Sequence, residues 1–396
     1  METAGATPDV AVIGGGIVGT ATAAFLAEGG LRVRLYEREA IASGASGRNS
    51  GIVQHPFDPV MASLYAATMT EYRRLAAATD GAFGLHDEPA GLLLVGRDPS
   101  AAGRMAAAWG EAWPATHPEI IEGPALARLE PALAPDLVAC RLSIGFPVAP
   151  AAATERFASL ARGLRVEIVT GGGVARPALA GDRVVGVERD GSIEPAGAVV
   201  VAAGPWTPGI VDSSAAWQPI RRSWGVVASV IVPDAPRHGL EASDIDIEPP
   251  AETPSAAASA VHDADRSDDA IDFSLVPASG SSALGSTFLP DEPDPAAWLD
   301  ALRRVGGRYV PAVAYAPVLG LRCCARPVSR DGRPLVGAAP WTDGLWVAAG
   351  HGPWGISTGP GSARMLADSI LGRLAGKGIP AALAVGRFGR PGLARG

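Results

Sequence analysis

The first strong signal is an uncharged, mostly apolar run over 10–27. At 18 residues it approaches the length of a membrane span. Four glycines interrupt it, Gly14, Gly15 and Gly16 in a row and then Gly19, and no basic residue precedes it as in a signal peptide. The pattern instead predicts a buried strand over 9–13, a tight turn and an Ala-rich helix over 17–28. An alternating strand over 31–36 completes a β-α-β unit. Helical periodicity recurs over 59–78, 99–115, 151–162, 295–310 and 359–375. Strand patterns fall over 89–96, 165–170, 183–189, 198–203, 220–232, 273–288 and 345–349. Internal repeats are absent. The segment 241–272 stands apart, with ten acidic residues against one arginine, Arg266. It is expected to be a solvated excursion, with a lid over a pocket as the alternative.

Composition narrows the function. With 47% hydrophobic and 19% charged residues in 396, the chain must fold around a large core. A net charge of −8 argues against nucleic acid as a partner. The three cysteines, Cys140, Cys323 and Cys324, form neither a disulfide framework nor a zinc motif. A cytoplasmic protein with no metal and no membrane span is expected. Lys377 is the only lysine, so P-loop chemistry is excluded, as is a Schiff base elsewhere in the chain.

Gly14-Gly-Gly16-Ile17-Val18-Gly19 matches GxGxxG between a predicted strand and helix. Gly14 permits the turn, Gly16 lets backbone approach a pyrophosphate, and Gly19 allows close helix–strand packing. The helix N-terminus offers free N–H groups to phosphate. Glu37 ends the second strand, placed to accept hydrogen bonds from an unphosphorylated ribose, so FAD or NAD is expected rather than NADP. A small-residue loop follows, 43–51, containing Ser46, Arg48, Asn49, Ser50 and Gly51. Two later apolar strands also run into glycine, at Gly204-Pro-Trp206 and at Gly350-His351-Gly352-Pro-Trp354-Gly355. Backbone can approach a flat ring at each.

Together with the run Arg326-Pro-Val-Ser-Arg-Asp331-Gly-Arg-Pro-Leu-Val-Gly337 and the later Gly359-Pro-Gly361, these pieces resemble the FAD-dependent amine oxidoreductases. That family includes glycine oxidase, D-amino acid oxidase and dehydrogenase, and monomeric sarcosine oxidase. The resemblance implies an α/β Rossmann-like FAD-binding domain over 1–55, 150–210 and 320–385. It implies an interleaved substrate domain on a mostly antiparallel sheet over 56–149 and 211–319, with a tail over 386–396. It implies FAD contacts from the glycines named above, from Ile17, Val18, Arg38 and Val174, and from the loop residues and tryptophans.

The resemblance further assigns Arg326 to the substrate carboxylate. It leaves Gln54 and Trp354 where the sarcosine oxidase branch has basic clamps. Cys324 lies seven residues before Asp331, the spacing of a cysteinyl–flavin thioether in that branch. His55 and His351 are expected near the isoalloxazine, and His262 near the pocket. The implied reaction is oxidation of the C–N bond of an amino acid or secondary amine by hydride transfer to flavin. Its electron acceptor and any homo-oligomer stay unspecified. Three alternatives remain: a partner-dependent flavoprotein subunit, a 2-hydroxy acid as substrate, and an NAD dehydrogenase. Gly355-Ile-Ser357-Thr-Gly359 matches a hydrolase nucleophile elbow, but no histidine follows Ser357 to complete a triad.

Overall fold

The computed structural model describes residues 7–79, 83–243, 268–374 and 378–391. His262, Arg266, Lys377, most of the acidic segment (244–267) and the end of the tail lie outside the described residues.

The N-terminal β-α-β forms as the pattern dictates: strand Val10–Ile13, helix Ile17–Glu28, strand Val33–Glu37. The first strand is buried throughout, because it occupies the interior of a six-stranded sheet. The order there is Leu335–Ala338, Leu345–Ala349, Ala198–Val201, Val10–Ile13, Val33–Glu37, Glu167–Thr170. All neighbours are parallel except the first pair. Helices Ile17–Glu28, Pro59–Ala78, Ala152–Gly163 and Gly355–Ile370 cover one face around Phe25, Tyr72, Phe157 and Leu366. The other face buries Ile13, Tyr36, Val187 and Trp217, with a small antiparallel sheet (Arg176–Ala180, Arg183–Arg189, Ser192–Pro195) packed there. Both faces being covered explains the near-continuous apolar strands.

A second, eight-stranded sheet runs Val318–Ser329, Ile220–Val230, Ser281–Thr287, Ile271–Ala278, Gly239–Ala242, Leu92–Gly96, Val138–Leu142, Glu119–Glu122. Its one parallel pairing joins Gly239–Ala242 to Leu92–Gly96. Helix Leu299–Gly307 packs on one face through Leu302 and Val305, against Phe273 and Leu284. The opposite face looks into the space between the two sheets.

Several elements depart from the sequence pattern. The single long strand expected over 273–288 is a hairpin, Ile271–Ala278 with Ser281–Thr287, turned at Gly280 (φ 72°). The helix expected over 295–310 opens as a 3₁₀ turn, Pro295–Trp298, and its α part ends at Gly307. The last helix starts at Gly355, earlier than expected, directly after the 3₁₀ turn Gly352–Trp354. Strand Val318–Ser329 had no clear alternation to reveal it, and it crosses the boundary expected at 320. It contains Pro327, which an edge strand tolerates because a missing N–H costs nothing on the unpaired side. The acidic segment is not a solvated excursion at its two ends. Glu241 lies in strand Gly239–Ala242, and Asp272 in strand Ile271–Ala278.

Candidate active site

One cavity of about 1530 Å³ runs from the carboxyl ends of the parallel strands to the inner face of the second sheet. Its first end is the glycine turn. Gly14 (φ 116°) passes so close to the next strand that a Cβ would lie 2.4 Å from the Ala202 carbonyl oxygen. A Cβ on Gly19 would lie 1.9 Å from the Gly14 oxygen, so Gly19 serves helix–strand packing and does not line the cavity. Gly16, Ile17 and Val18 do line it. The helix N-terminus has no cap of its own. Ser46 Oγ accepts from the Ile17 N–H at 2.9 Å, supplying from 29 residues away what a cap residue supplies locally. Glu37 reaches back into the turn, where Oε2 accepts from the Gly15 N–H at 2.7 Å and Oε1 from the Glu39 N–H at 2.9 Å. Arg38 and Trp206 face each other across the same end, guanidinium carbon to ring centroid 5.7 Å, and Val174 borders it.

The loop 43–51 is ordered by a short helix, Ala45–Arg48, closed by Asn49. Asn49 Nδ2 donates to the Ser46 carbonyl at 2.8 Å, and its Oδ1 accepts from the Gly51 N–H at 2.8 Å. Arg48 Nη1 donates to the Cys323 carbonyl at 3.3 Å, tying the loop to the second sheet. Arg48, Asn49, Ser50 and Gly51 all border the cavity, as do Gly204, Gly352, Trp354 and Gly355. Built Cβ atoms on Gly204, Gly352 and Gly355 would meet no atom within 4 Å. Backbone is thus bare toward an open space at three separate turns, which fits a flat ring lying against main chain.

Two expected residues are placed otherwise. Gly350 (φ 90°) is packed against Leu335, Ser329 and Ile220 and does not border the cavity. His55 also stands away from the cavity, its ring 5.0 Å from Trp113, 5.2 Å from Tyr65 and 5.5 Å from Phe57. Burial there lowers its pKa. His351 does border the cavity, but its Nε2 meets Ser362 Oγ at 3.0 Å. Burial pushes its pKa down to about 4, so the imidazole is neutral at pH 7. His351 therefore brings no charge of its own to the cavity. The N-terminus of helix Gly355–Ile370 remains as the positive end of a dipole nearby.

At the far end, Arg326 projects from strand Val318–Ser329. Its Nη1 donates to the Thr287 carbonyl at 2.9 Å, its Nη2 donates to Ser286 Oγ, and the guanidinium carbon lies 4.3 Å from the Phe288 ring centroid. Among the described residues no carboxylate forms an ion pair with it. Burial is the main influence on its pKa and lowers it, while the charge of Asp272 opposes that shift. Cys324, one turn of the pleat away, borders the cavity with Sγ 3.9 Å from the Arg48 carbonyl oxygen. Burial raises its thiol pKa despite the charges of Arg326, Arg48 and Arg322.

Sequence reasoning singled out Gln54 at this end but missed Gly225, Glu241 and Asp272. Gly225 lies opposite Cys324 in the neighbouring strand, and the Arg326 guanidinium covers it. Gln54 is fixed by its backbone N–H donating to Ser357 Oγ at 2.9 Å, and its Nε2 donates to Glu241 Oε2 at 3.2 Å. Gln54, Glu241 and Asp272 all border the cavity. No local motif marks these residues; only the pairing of distant strands brings them together.

Fold and site together define a dinucleotide-dependent oxidoreductase scaffold: a parallel sheet with a glycine turn at its switch point, joined to a second sheet across a shared cavity. The chain belongs to the FAD dependent oxidoreductase family, whose model matches residues 9–369. Over 71 residues it is 45% identical to a D-amino acid dehydrogenase of Cereibacter sphaeroides, covering 17% of this chain and 16% of that protein. Over 74 residues it is 35% identical to a glycine oxidase of Pseudomonas aeruginosa, covering 19% and 20%. The matched segments thus span about a fifth or less of those proteins. The solved glycine oxidase of Geobacillus kaustophilus shares the fold, with TM-score 0.77 at 21% identity over 96% of this chain and 99% of that one. Among the described residues no helix is long and apolar enough to cross a membrane.

Proposed function

We propose that this protein oxidises the C–N bond of an amino acid or secondary amine to an imine, with the substrate carboxylate held by Arg326. The observation that carries this reading is the Arg326 guanidinium itself. It borders the cavity beyond the bare glycine turns, and among the described residues its hydrogen-bond partners, Thr287 and Ser286, are neutral. A planar, permanently charged fork is suited to a carboxylate. Removing such a charge-assisted bond costs about 1.5–3 kcal/mol.

The residues present fit FAD. Gly14, Gly16 and the Ile17–Glu28 N-terminus would hold the pyrophosphate, Glu37 the ribose, and Arg38, Val174 and Trp206 the adenine end. Arg48, Asn49, Ser50, Gly51, Gly204, Gly352, Trp354 and Gly355 would border the flavin. In this reading the six-stranded sheet carries the cofactor and the eight-stranded sheet carries the substrate. Bound FAD supplies the acceptor for the two electrons and one proton that leave the substrate's C–H bond. Arg326 orients that C–H bond by fixing the carboxylate. The second proton leaves the substrate nitrogen for solvent. Hydrolysis of the imine follows outside the site.

The test is anaerobic mixing of the FAD-loaded protein with glycine, sarcosine, proline and both enantiomers of common amino acids, followed through the oxidised-flavin absorption band. Bleaching by a member of the panel is expected, and admitting air then separates an oxidase from a dehydrogenase. Bleaching by a 2-hydroxy acid and by no amine would overturn the reading.

A further inference from the structure

The substrate end of the cavity carries charges of both signs. Arg326 stands in the edge strand Val318–Ser329, and Glu241 in Gly239–Ala242. Three strands separate them, so their backbones are four inter-strand spacings apart, about 19 Å at ~4.8 Å each. Both side chains border the same cavity. Asp272 lies between, within electrostatic reach of each.

Glu241 is the unusual member. Its one hydrogen-bond donor among the described residues is Gln54 Nε2, at 3.2 Å, and no cation pairs with it there. Gln54 is itself anchored to Ser357, so the contact is held from the cofactor side of the cavity. An ionised carboxylate inside a cavity with a single neutral donor is stabilised by a positive partner that offsets its lost hydration.

Separation decides which positive group can serve. Arginine and glutamate side chains reach about 6 and 4 Å from the backbone. Even leaning directly at each other, the two charged ends stay about 9 Å apart, and Arg326 already leans that way, over Gly225 to Ser286 and Thr287. An α-ammonium lies only two bonds from its own carboxylate carbon, about 2.5 Å. It cannot reach Glu241 while the carboxylate rests on Arg326. A lysine-length side chain places its ammonium six bonds away, about 7 Å, and a hydrogen bond of ~2.8 Å at each end brings the span to about 13 Å.

We propose that Glu241, positioned by Gln54, binds the distal cationic group of an extended substrate whose carboxylate sits on Arg326, which selects cationic amino acids of the lysine, ornithine or arginine type. The inference rests on the amine-oxidation reading, and it names the substrate class of the same site.

The test uses one ligand pair that needs no turnover and one that does. The FAD-loaded protein is titrated with 6-aminohexanoate and with hexanoate, and the flavin difference spectrum is followed. The two carry the same carboxylate, and only the first carries a distal ammonium. Binding of 6-aminohexanoate at least tenfold tighter is expected, with the preference abolished in Glu241→Gln. Equal binding of the two ligands in the unmodified protein overturns the proposal without any variant. The anaerobic rates with lysine and norleucine are then compared. A lysine preference that collapses at least tenfold in Glu241→Gln supports the proposal. Equal bleaching by both amino acids overturns it and leaves amine oxidation standing. Discrimination between the two hexanoates with no bleaching by any amino acid supports the Glu241 contact and overturns the oxidation reading.

Discussion

The guanidinium of Arg326 lies flat over the Cα of Gly225. A Cβ at position 225 would sit 2.3 Å from Nη1, 2.5 Å from Nη2 and 2.6 Å from the central carbon. No L side chain fits beneath it, so glycine at 225 sets the direction in which the arginine points. Gly225→Ala is expected to displace the guanidinium and lower kcat/KM more than tenfold. Flavin content should be retained, because Cα 225 contacts the arginine rather than the dinucleotide end. Steady-state kinetics beside the flavin-to-protein absorbance ratio checks both halves.

Removal of the arginine itself is expected to reduce kcat/KM at least tenfold, which is ~1.4 kcal/mol or more. Arg326→Lys should recover little of this. An ammonium cannot reproduce the fork that contacts Thr287 and Ser286 while also gripping a carboxylate. An unchanged kcat/KM in Arg326→Ala would remove it from the site.

Ser46→Ala tests the remote cap. Losing the acceptor for the Ile17 N–H should cost about 1 kcal/mol, seen as a lower Tm. Because the same N-terminus is to hold the pyrophosphate, FAD should also dissociate more readily on dilution, read by recovery of free-flavin fluorescence.

The position of Cys324 bears on how the flavin is attached. The thiolate is the nucleophilic form, and burial holds the Cys324 thiol protonated. Acid precipitation is therefore expected to leave the yellow colour in the supernatant. A coloured pellet that turns colourless in Cys324→Ser would establish a thioether instead.

Glu241 predicts a pH signature in stability. Burial, helped by the charge of Asp272 and partly offset by the Gln54 hydrogen bond, raises its carboxyl from 4.5 to about 7. Between those values the folded protein keeps a proton that the unfolded chain has released, so this group makes stability fall as pH rises. Below 4.5 the effect vanishes, and above about 7 the full cost is present. Glu241→Gln removes the cost. Its Tm relative to the unmodified protein should therefore be higher at pH 8 than at pH 5, measured by thermal unfolding without ligand.

The N-terminal unit was legible in the sequence because its physics is local. Three consecutive glycines between an apolar strand and an Ala-rich helix allow few alternatives, and helix Ile17–Glu28 falls on the predicted residues. Helix Pro59–Ala78 was equally readable, since Asp58 caps it by accepting from the Val60 and Met61 N–H groups and Pro59 opens it. Glu241 and Gly225 were not legible. Gly225 is paired with Cys324, 99 residues on, and Glu241 with Ser274 and Leu94, 33 and 147 residues away, and nothing beside them in the chain marks a cavity wall. Glu241 was also hidden among acidic neighbours whose composition reads as solvated. His55 shows the complementary error. A histidine just after a glycine-rich loop looks chemical in sequence, yet His55 is held among aromatic rings away from the cavity, whereas His351 does border it.

The interleaving of the six-stranded sheet has a consequence for biosynthesis. Strand Val10–Ile13 needs Ala198–Val201 beside it, and Gly14 needs Ala202 against it. The first helix also packs on Gly355–Ile370 through the shared core around Phe25 and Leu366. At ~5–20 residues per second the ribosome delivers that last helix roughly 20–70 s after the glycine turn has emerged. Through that interval the nascent chain holds the sequence of a dinucleotide site without its walls. The dinucleotide site is therefore complete only at the end of translation, and a chain truncated before the last helix is expected to hold no flavin.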